Sequence, residues 1–175
     1  MPIDSRELLF VVDENNNPLP PASREEVHAR GYWHRNSHVW ITNSKRQTLC
    51  GKRSMLKDTN PGKWDPIFGG HTNAGDEYIV CAIKELKEEL NLDIAPEELQ
   101  FHGIFRKEAL KEFSAIYLLK KDIDIDQLKP EKDELDLTEW KDNDELTEIN
   151  IANHPDWVSR GYENEILSLL VQDKK

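Results

Sequence analysis

Two cysteines, Cys50 and Cys81, are all the thiols in 175 residues, too few and too far apart for a disulfide framework or a thiolate zinc site. That scarcity fits a reducing, cytoplasmic setting. Long hydrophobic runs are also missing: no apolar stretch approaches the ~20 residues needed to span a bilayer. Met1 to Glu7 shows no basic segment leading into an apolar one, so neither membrane insertion nor export is expected. Excess positive charge is lacking too, since 23 Lys and Arg stand against 34 Asp and Glu, a formal net charge of -11. A chain this acidic is poorly suited to nucleic acid or an anionic membrane as primary partner. If it handles a phosphate substrate, it needs a bridging cation.

Internal repeats, linkers and low-complexity tracts are absent as well, and the length is that of one domain, expected over residues 1–175. Monomer and homodimer both stay open. What is present is 37% hydrophobic residues and five Trp, enough large apolar side chains for a core.

Leu8 to Asp13 reads as a strand ending in the turn-rich Glu14 to Pro18. Arg24 to Arg30 is a loop or a short helix. Ser37 to Thr42 and Thr48 to Arg53 read as a hairpin, and Lys57 to Trp64 as a loop marked by Asn60-Pro61-Gly62. From Glu77 to Leu90 the apolar Ile79, Ala82, Ile83, Leu86 and Leu90 recur at spacings of three and four, the period of an amphipathic helix. Ala95 to Leu99 is a turn or a single helical turn, Phe101 to Arg106 and Phe113 to Lys120 are strands, and the acidic Asp122 to Asp136 is loop. Leu137 to Trp140 forms a short strand and Glu163 to Gln172 a terminal amphipathic helix. Strands and a few helices in this mixed order predict an α+β fold rather than a doubly wound sheet.

Glu85, Glu88 and Glu89 stand at i, i+3 and i+4 on the long helix, which brings their carboxylates to one face. Taken alone, such a trio is usually a solvated helix face. Here the loop Gly69-Gly70-His71-Thr72-Asn73-Ala74-Gly75-Asp76 feeds the helix, and glycines let backbone approach a ligand closely. Asp76 stands where an N-cap acid belongs. A hard divalent cation would relieve the crowding of the acids, and Mg²⁺, with Mn²⁺ as the alternative, suits oxygen ligands better than zinc.

Gly70 to Leu92 resembles the Nudix box, G-x5-E-x7-R-E-U-x-E-E-x-G-U with U aliphatic. The spacing agrees throughout; the departures are Asp76 for Glu, Lys84 for Arg and Asn91 for Gly. Asn tolerates the left-handed backbone that the glycine would supply. The resemblance implies the Nudix fold, a mixed β-sheet core sandwiched between α-helices. It also implies hydrolysis of a diphosphate linkage in a small nucleotide-type or other organic molecule. Glu85, Glu88, Glu89 and the Gly70 carbonyl would hold the metal, and Glu85 or Glu88 would orient or deprotonate the attacking water. Lys84 would replace an arginine that positions a motif glutamate, without the planar fork.

Lys52-Arg53, Lys57 and Pro61-Gly62-Lys63-Trp64-Asp65 resemble the stretch before the box in isopentenyl diphosphate isomerase and its hydrolase relatives. Lys52, Arg53 and Lys57 are then candidates to clamp substrate phosphate. That isomerase requires a cysteine two residues before a histidine, and Gly69 stands there, which favours hydrolysis over isomerisation. His34 and His71 fall where the isomerase places histidine ligands for a further metal, although His28, His34 and His38 also read as a solvated hairpin edge. Glu112 matches a position where Nudix enzymes often carry an additional acid, and Glu134 lies in a similar loop. Trp33, Trp40 and Trp64 would stack on a base, cover a prenyl chain or pack in the core. The competing readings are an isomerase-like enzyme and a non-catalytic Nudix module.

Overall fold

The computed structural model describes residues 7–172, so the reading of Met1 to Arg6 lies outside the described residues. The first elements are short. Strand β1 (Leu8–Leu9) pairs with β2 (Ala22–Ser23), and helix α1 spans Arg24–Arg30. The expected strand from Leu8 to Asp13 is therefore only partly regular: past Leu9 it makes isolated bridges from Val11 to His34 and Val12 to Pro18. Asp13 ends it by accepting the Asn15 and Asn17 amides on one carboxylate oxygen. The choice left open at Arg24 to Arg30 resolves to helix, because Ser23 caps it by accepting the Glu26 amide and Gly31 closes it in the left-handed conformation.

The main sheet is built from β3 (His34–Thr42), β4 (Gln47–Arg53), β5 (Trp64–Asp65), β6 (Phe68–His71), β7 (Leu99–Lys107), β8 (Glu112–Lys120) and β9 (Leu135–Asp142). Its spine runs β5-β4-β3-β8-β7, with β6 on β3 and β9 on β4. β3 and β8 are parallel, from His34 opposite Glu112 to Thr42 opposite Lys120, whereas β6 runs antiparallel to β3. The sheet is thus mixed. β3 begins three residues earlier than its apolar run suggests, and β9 starts at Leu135, inside the stretch expected to be loop.

Helix α2 (Tyr78–Leu90) covers one face and buries Leu86 and Leu90 against Val39, Ile41, Phe68 and Leu119. Asn91 ends it at φ 53°, its amide reaching the Leu86 and Lys87 carbonyls, so it does take the glycine's left-handed role. Helices α3 (Asn143–Glu148) and α4 (Glu163–Gln172) cover the other face, around Trp40, Ile116, Trp157 and Ile166. The expected sandwich of a mixed sheet between helices is what is found. Helix α3 was not foreseen: its six residues, capped by Asp142, carry a single apolar side chain, the buried Leu146, and so show no apolar period.

Candidate active site

Side chains alternate along a strand, so β3 and β6 send successive residues to opposite faces. Ser37 and Gly70, paired in the ladder, face α2, and Ser37 Oγ donates to the Tyr78 carbonyl at 2.7 Å. Asn36 and His71, also paired, face the other way. This alternation sorts the candidate residues into two groups.

On the α2 face the helix lowers its acids onto the glycine loop. Glu89 Oε2 accepts the Gly69 amide at 3.1 Å. The Glu85 carboxylate lies over Gly70 so closely that a β-carbon there would sit 2.5 Å from Glu85 Oε1; only glycine leaves that room. Burial, then Glu88 and Glu134, push the Glu85 carboxyl up to about 8. Burial and the Glu85 charge push Glu89 well above the ordinary carboxylate range. Glu88 is exposed. The three carboxylates are therefore arranged in depth, from solvent at Glu88 to the loop amide at Glu89, and their oxygens do not form one tight cluster. Two half-buried, mutually repelling acids beside a backbone cradle make a donor set that fits a hard divalent ion.

Glu134 joins this group, since its charge raises both Glu85 and Glu89, and it is ion-paired with Lys57. Lys57 thus stands beside the acids. Arg53 donates to the Thr59 carbonyl at 2.9 Å and lies 3.7 Å from Asp65. Lys52 is turned to the other side, where it lines a cleft of about 870 Å³ with Trp64 and Trp157. Lys84 does not touch the acids: its ammonium bonds Asp76 at 2.6 Å, tying loop to helix. Asp76 is accordingly not the N-cap: its carboxylate is engaged by Lys84, and Glu77 holds the cap position without a side-chain bond.

On the opposite face His28, His34 and His71 offer ligand nitrogens that all lie within 4.8 Å of one another. The reading of His28, His34 and His38 as a solvated edge is corrected: His34 and His38 are buried. Parallel pairing with β8 covers the edge that a hairpin would have left open. His34 Nδ1 meets the Tyr32 carbonyl at 2.9 Å, which fixes the tautomer and leaves the buried Nε2 without a hydrogen-bond partner. Glu112 Oε1 lies 3.7 Å from that nitrogen. Burial lowers the proton affinity of all three rings, keeping them in the neutral form that ligates metal. This donor set fits a borderline transition-metal ion. His28 was not grouped with His34 and His71, because five residues and a helix end separate it from His34 in the chain.

Further along that face His38 Nδ1 meets the Tyr162 hydroxyl at 2.6 Å, and Arg160 grips Asp65 with two bonds of 2.9 and 2.8 Å. Neither Arg160 nor Tyr162 was singled out in the sequence. Of the tryptophans, Trp40 is wholly core; Trp33 is covered by Arg106 at 4.5 Å and Trp64 by Lys141 at 3.9 Å.

A mixed sheet between helices, with a glycine loop and an acid-bearing helix at one end, defines the class of fold that the box implied. A family profile described as NUDIX domain matches residues 32–161. The chain belongs to the Nudix family. It is 36% identical over 138 residues to an uncharacterized Nudix hydrolase of Clostridium acetobutylicum, covering 74% of this chain and 66% of that protein. It is 25% identical over 175 residues to isopentenyl-diphosphate Delta-isomerase 2 of Photorhabdus laumondii, covering 95% and 94%. It spans 61% of a Yersinia pestis relative and 14% of Nudix hydrolase 3 of Arabidopsis thaliana, two-thirds or less of several curated relatives. Among solved structures a Deinococcus radiodurans protein superposes with a TM-score of 0.73 at 23% identity, covering 94% of this chain and 99% of that one. Among the described residues no helix is long and apolar enough to cross a membrane.

Proposed function

We propose that this chain is a Mg²⁺-dependent hydrolase that cleaves a diphosphate linkage in a nucleoside diphosphate derivative or another organic diphosphate. The observation that carries this is the half-buried Glu85–Glu89 pair on the Gly69–Gly70 loop, held at raised proton affinity by burial and mutual repulsion. Mg²⁺, or Mn²⁺ in its place, would be held by Glu85, Glu88, Glu89 and the Gly70 carbonyl; when bound it polarises phosphoryl oxygens and lowers the pKa of a bound water. Glu85 or Glu88 takes the proton as the water oxygen bonds to phosphorus and the bridging oxygen leaves. Lys57, beside the acids through Glu134, would meet phosphate oxygens; Arg53, engaged by Thr59 and Asp65, and Lys52, facing another cleft, would contribute less. Lys84 acts as a positioning residue through Asp76. The enzyme is read as cytoplasmic and as one domain over 1–175, with monomer or homodimer to be decided by light scattering.

A second metal is favoured by the orphaned Nε2 of His34: His28, His34 and His71, with Glu112 as additional acid, would hold it. Cobalt(II) titration should give a visible absorption band that His71→Ala abolishes. Isomerisation is the competing activity, and Gly69 speaks against it, having no side chain to move a proton.

The test is phosphate release from nucleoside diphosphate sugars, dinucleoside polyphosphates, thiamine diphosphate and prenyl diphosphates with Mg²⁺, repeated on Glu88→Gln. Loss of turnover by two orders of magnitude or more is expected for the variant. Equal turnover by variant and parent would refute the assignment.

A further inference from the structure

Cys81 sits one turn into α2, 3% exposed, and belongs to neither donor group. Its sulfur lies 3.5 Å from the Gly70 carbonyl oxygen and 3.4 Å from the His71 carbonyl oxygen. The first of these residues lies under the Glu85 carboxylate, and the second carries a ring of the histidine group. Glu85 follows Cys81 by four residues, so thiol and carboxylate share one helix face and meet the same short stretch of β6. Burial, then the Glu85 charge, push the thiol up to about 12, so it stays protonated and donates. Ser37 and Thr72 bring hydroxyls to the sulfur, one from β3 and one from the residue that follows β6. The Ser37 hydrogen is committed to the Tyr78 carbonyl, and the wholly buried Thr72 hydroxyl has no oxygen or nitrogen partner, which leaves it the sulfur.

A thiol has one hydrogen, and here two carbonyls compete for it. A cation on the Gly70 carbonyl takes a lone pair of that oxygen, and a buried donor stranded by it would be costly. At Cys81 the hydrogen turns to the His71 carbonyl instead, so the loop stays tied to the helix while the Gly70 oxygen is released. We propose that Cys81 is a positioning residue that pins α2 to β6 through these two carbonyls and thereby sets the metal affinity of both donor groups. The inference rests on the metal reading above and adds to it a residue outside both ligand sets. Without the thiol the Gly70–His71 peptide is free to tilt, and because that peptide joins the two groups, a tilt is felt by both. Cys50 provides the control: it is as small and as buried, but its thiol reaches the Thr48 carbonyl at 3.6 Å within the core on the α4 side.

Metal binding is measured without substrate, Mg²⁺ by calorimetry and Co²⁺ by its visible band, on the parent, Cys81→Ala, Cys81→Ser and Cys50→Ala. Cys81→Ala should weaken both metals by about three- to tenfold, the worth of one neutral hydrogen bond. Cys81→Ser, which keeps a donor, should recover most of the loss, and Cys50→Ala should leave both affinities within about twofold of the parent. Thermal melts check that all three variants fold. The pin is refuted if Cys81→Ala binds both metals like the parent, or if its loss falls on one metal alone. It is equally refuted if Cys50→Ala or Cys81→Ser loses as much as Cys81→Ala. A parent that binds neither metal refutes the pin together with the metal reading. The expected pattern of metal affinities with no phosphate release from any diphosphate would instead sink the hydrolase reading and spare the pin.

Discussion

Replacing Gly69 by cysteine supplies the residue that isopentenyl diphosphate isomerase needs at this place, and the backbone predicts that it will not supply the activity. A β-carbon on Gly69 would stand 1.9 Å from the Ser37 carbonyl oxygen, against the 3.4 Å at which ordinary contact begins, so about 1.5 Å of room is missing. The obstacle is main chain: the Ser37 carbonyl carbon at 3.0 Å and the His38 Cα at 3.1 Å belong to β3, which cannot rotate aside as a side chain would. To admit the cysteine, β6 must draw away from β3, loosening the Ser37–Gly70 and His38–Gly69 pairs and the core beneath Phe68. Overpacking of this kind costs ~1–3 kcal/mol, and holding a non-glycine residue at φ 155° costs a similar amount. The sum, about 2–6 kcal/mol, is a large share of the ~5–15 kcal/mol that holds a domain folded. Urea melts should show the midpoint falling by about 2 M, and NMR should detect no conversion of isopentenyl to dimethylallyl diphosphate. If Gly69→Cys melted with the parent and catalysed that isomerisation, both the steric argument and the preference for hydrolysis would be wrong.

Arg160→Ala leaves the buried Asp65 with the Ile67 amide at 3.1 Å and Arg53 at 3.7 Å as its remaining partners and should cost ~3–5 kcal/mol in chemical denaturation; a loss below about 1 kcal/mol would show that the pair contributes little. Lys84→Ala removes a largely exposed pair and should shift stability by no more than ~0.5 kcal/mol, while lowering turnover if the Asp76 tie positions the loop; unchanged turnover would make Lys84 a surface residue. The Glu85 carboxyl titrates near 8 when folded and at its ordinary 4.5 when unfolded, so the folded form holds the extra proton between those values. Its contribution to stability is complete below 4.5 and declines as pH climbs toward 8. Parallel melting curves for Glu85→Gln and the metal-free parent across that window would contradict the burial of this acid, as would a Mg²⁺-induced rise in Tm that is no larger at pH 8.5 than at 6.

The α2 half of the site was legible because its information is local. One helix period and one glycine loop bring Glu85, Glu89 and Gly70 together without reference to the rest of the chain. The histidine half was only half legible, since His28, His34 and His71 meet through α1, β3 and β6, and the parallel β3–β8 pairing that buries them has no signature in either strand alone. Lys84 and Asp76 were read separately, as clamp and cap, and turn out to be one pair. Two of the three departures from the box therefore answer each other: the shorter acid Asp76 and the lysine that replaces arginine form one ion pair. Arg160 and Tyr162 were invisible because their partners, Asp65 and His38, lie about a hundred residues away.

Gly70 and His71 are neighbours in the chain yet serve opposite faces of the sheet, one under the Glu85 carboxylate, the other against His28 and His34. Strand alternation alone makes this separation, so the register of four residues against β3 sets both donor groups at once. A slip of one residue would bring the imidazole under α2 and the glycine among the histidines, abolishing both. The two groups are thus coupled through backbone geometry rather than through contact, and any substitution that moves β6 off β3 should disturb metal binding on both faces together, whereas one that alters a single ligand should disturb only its own.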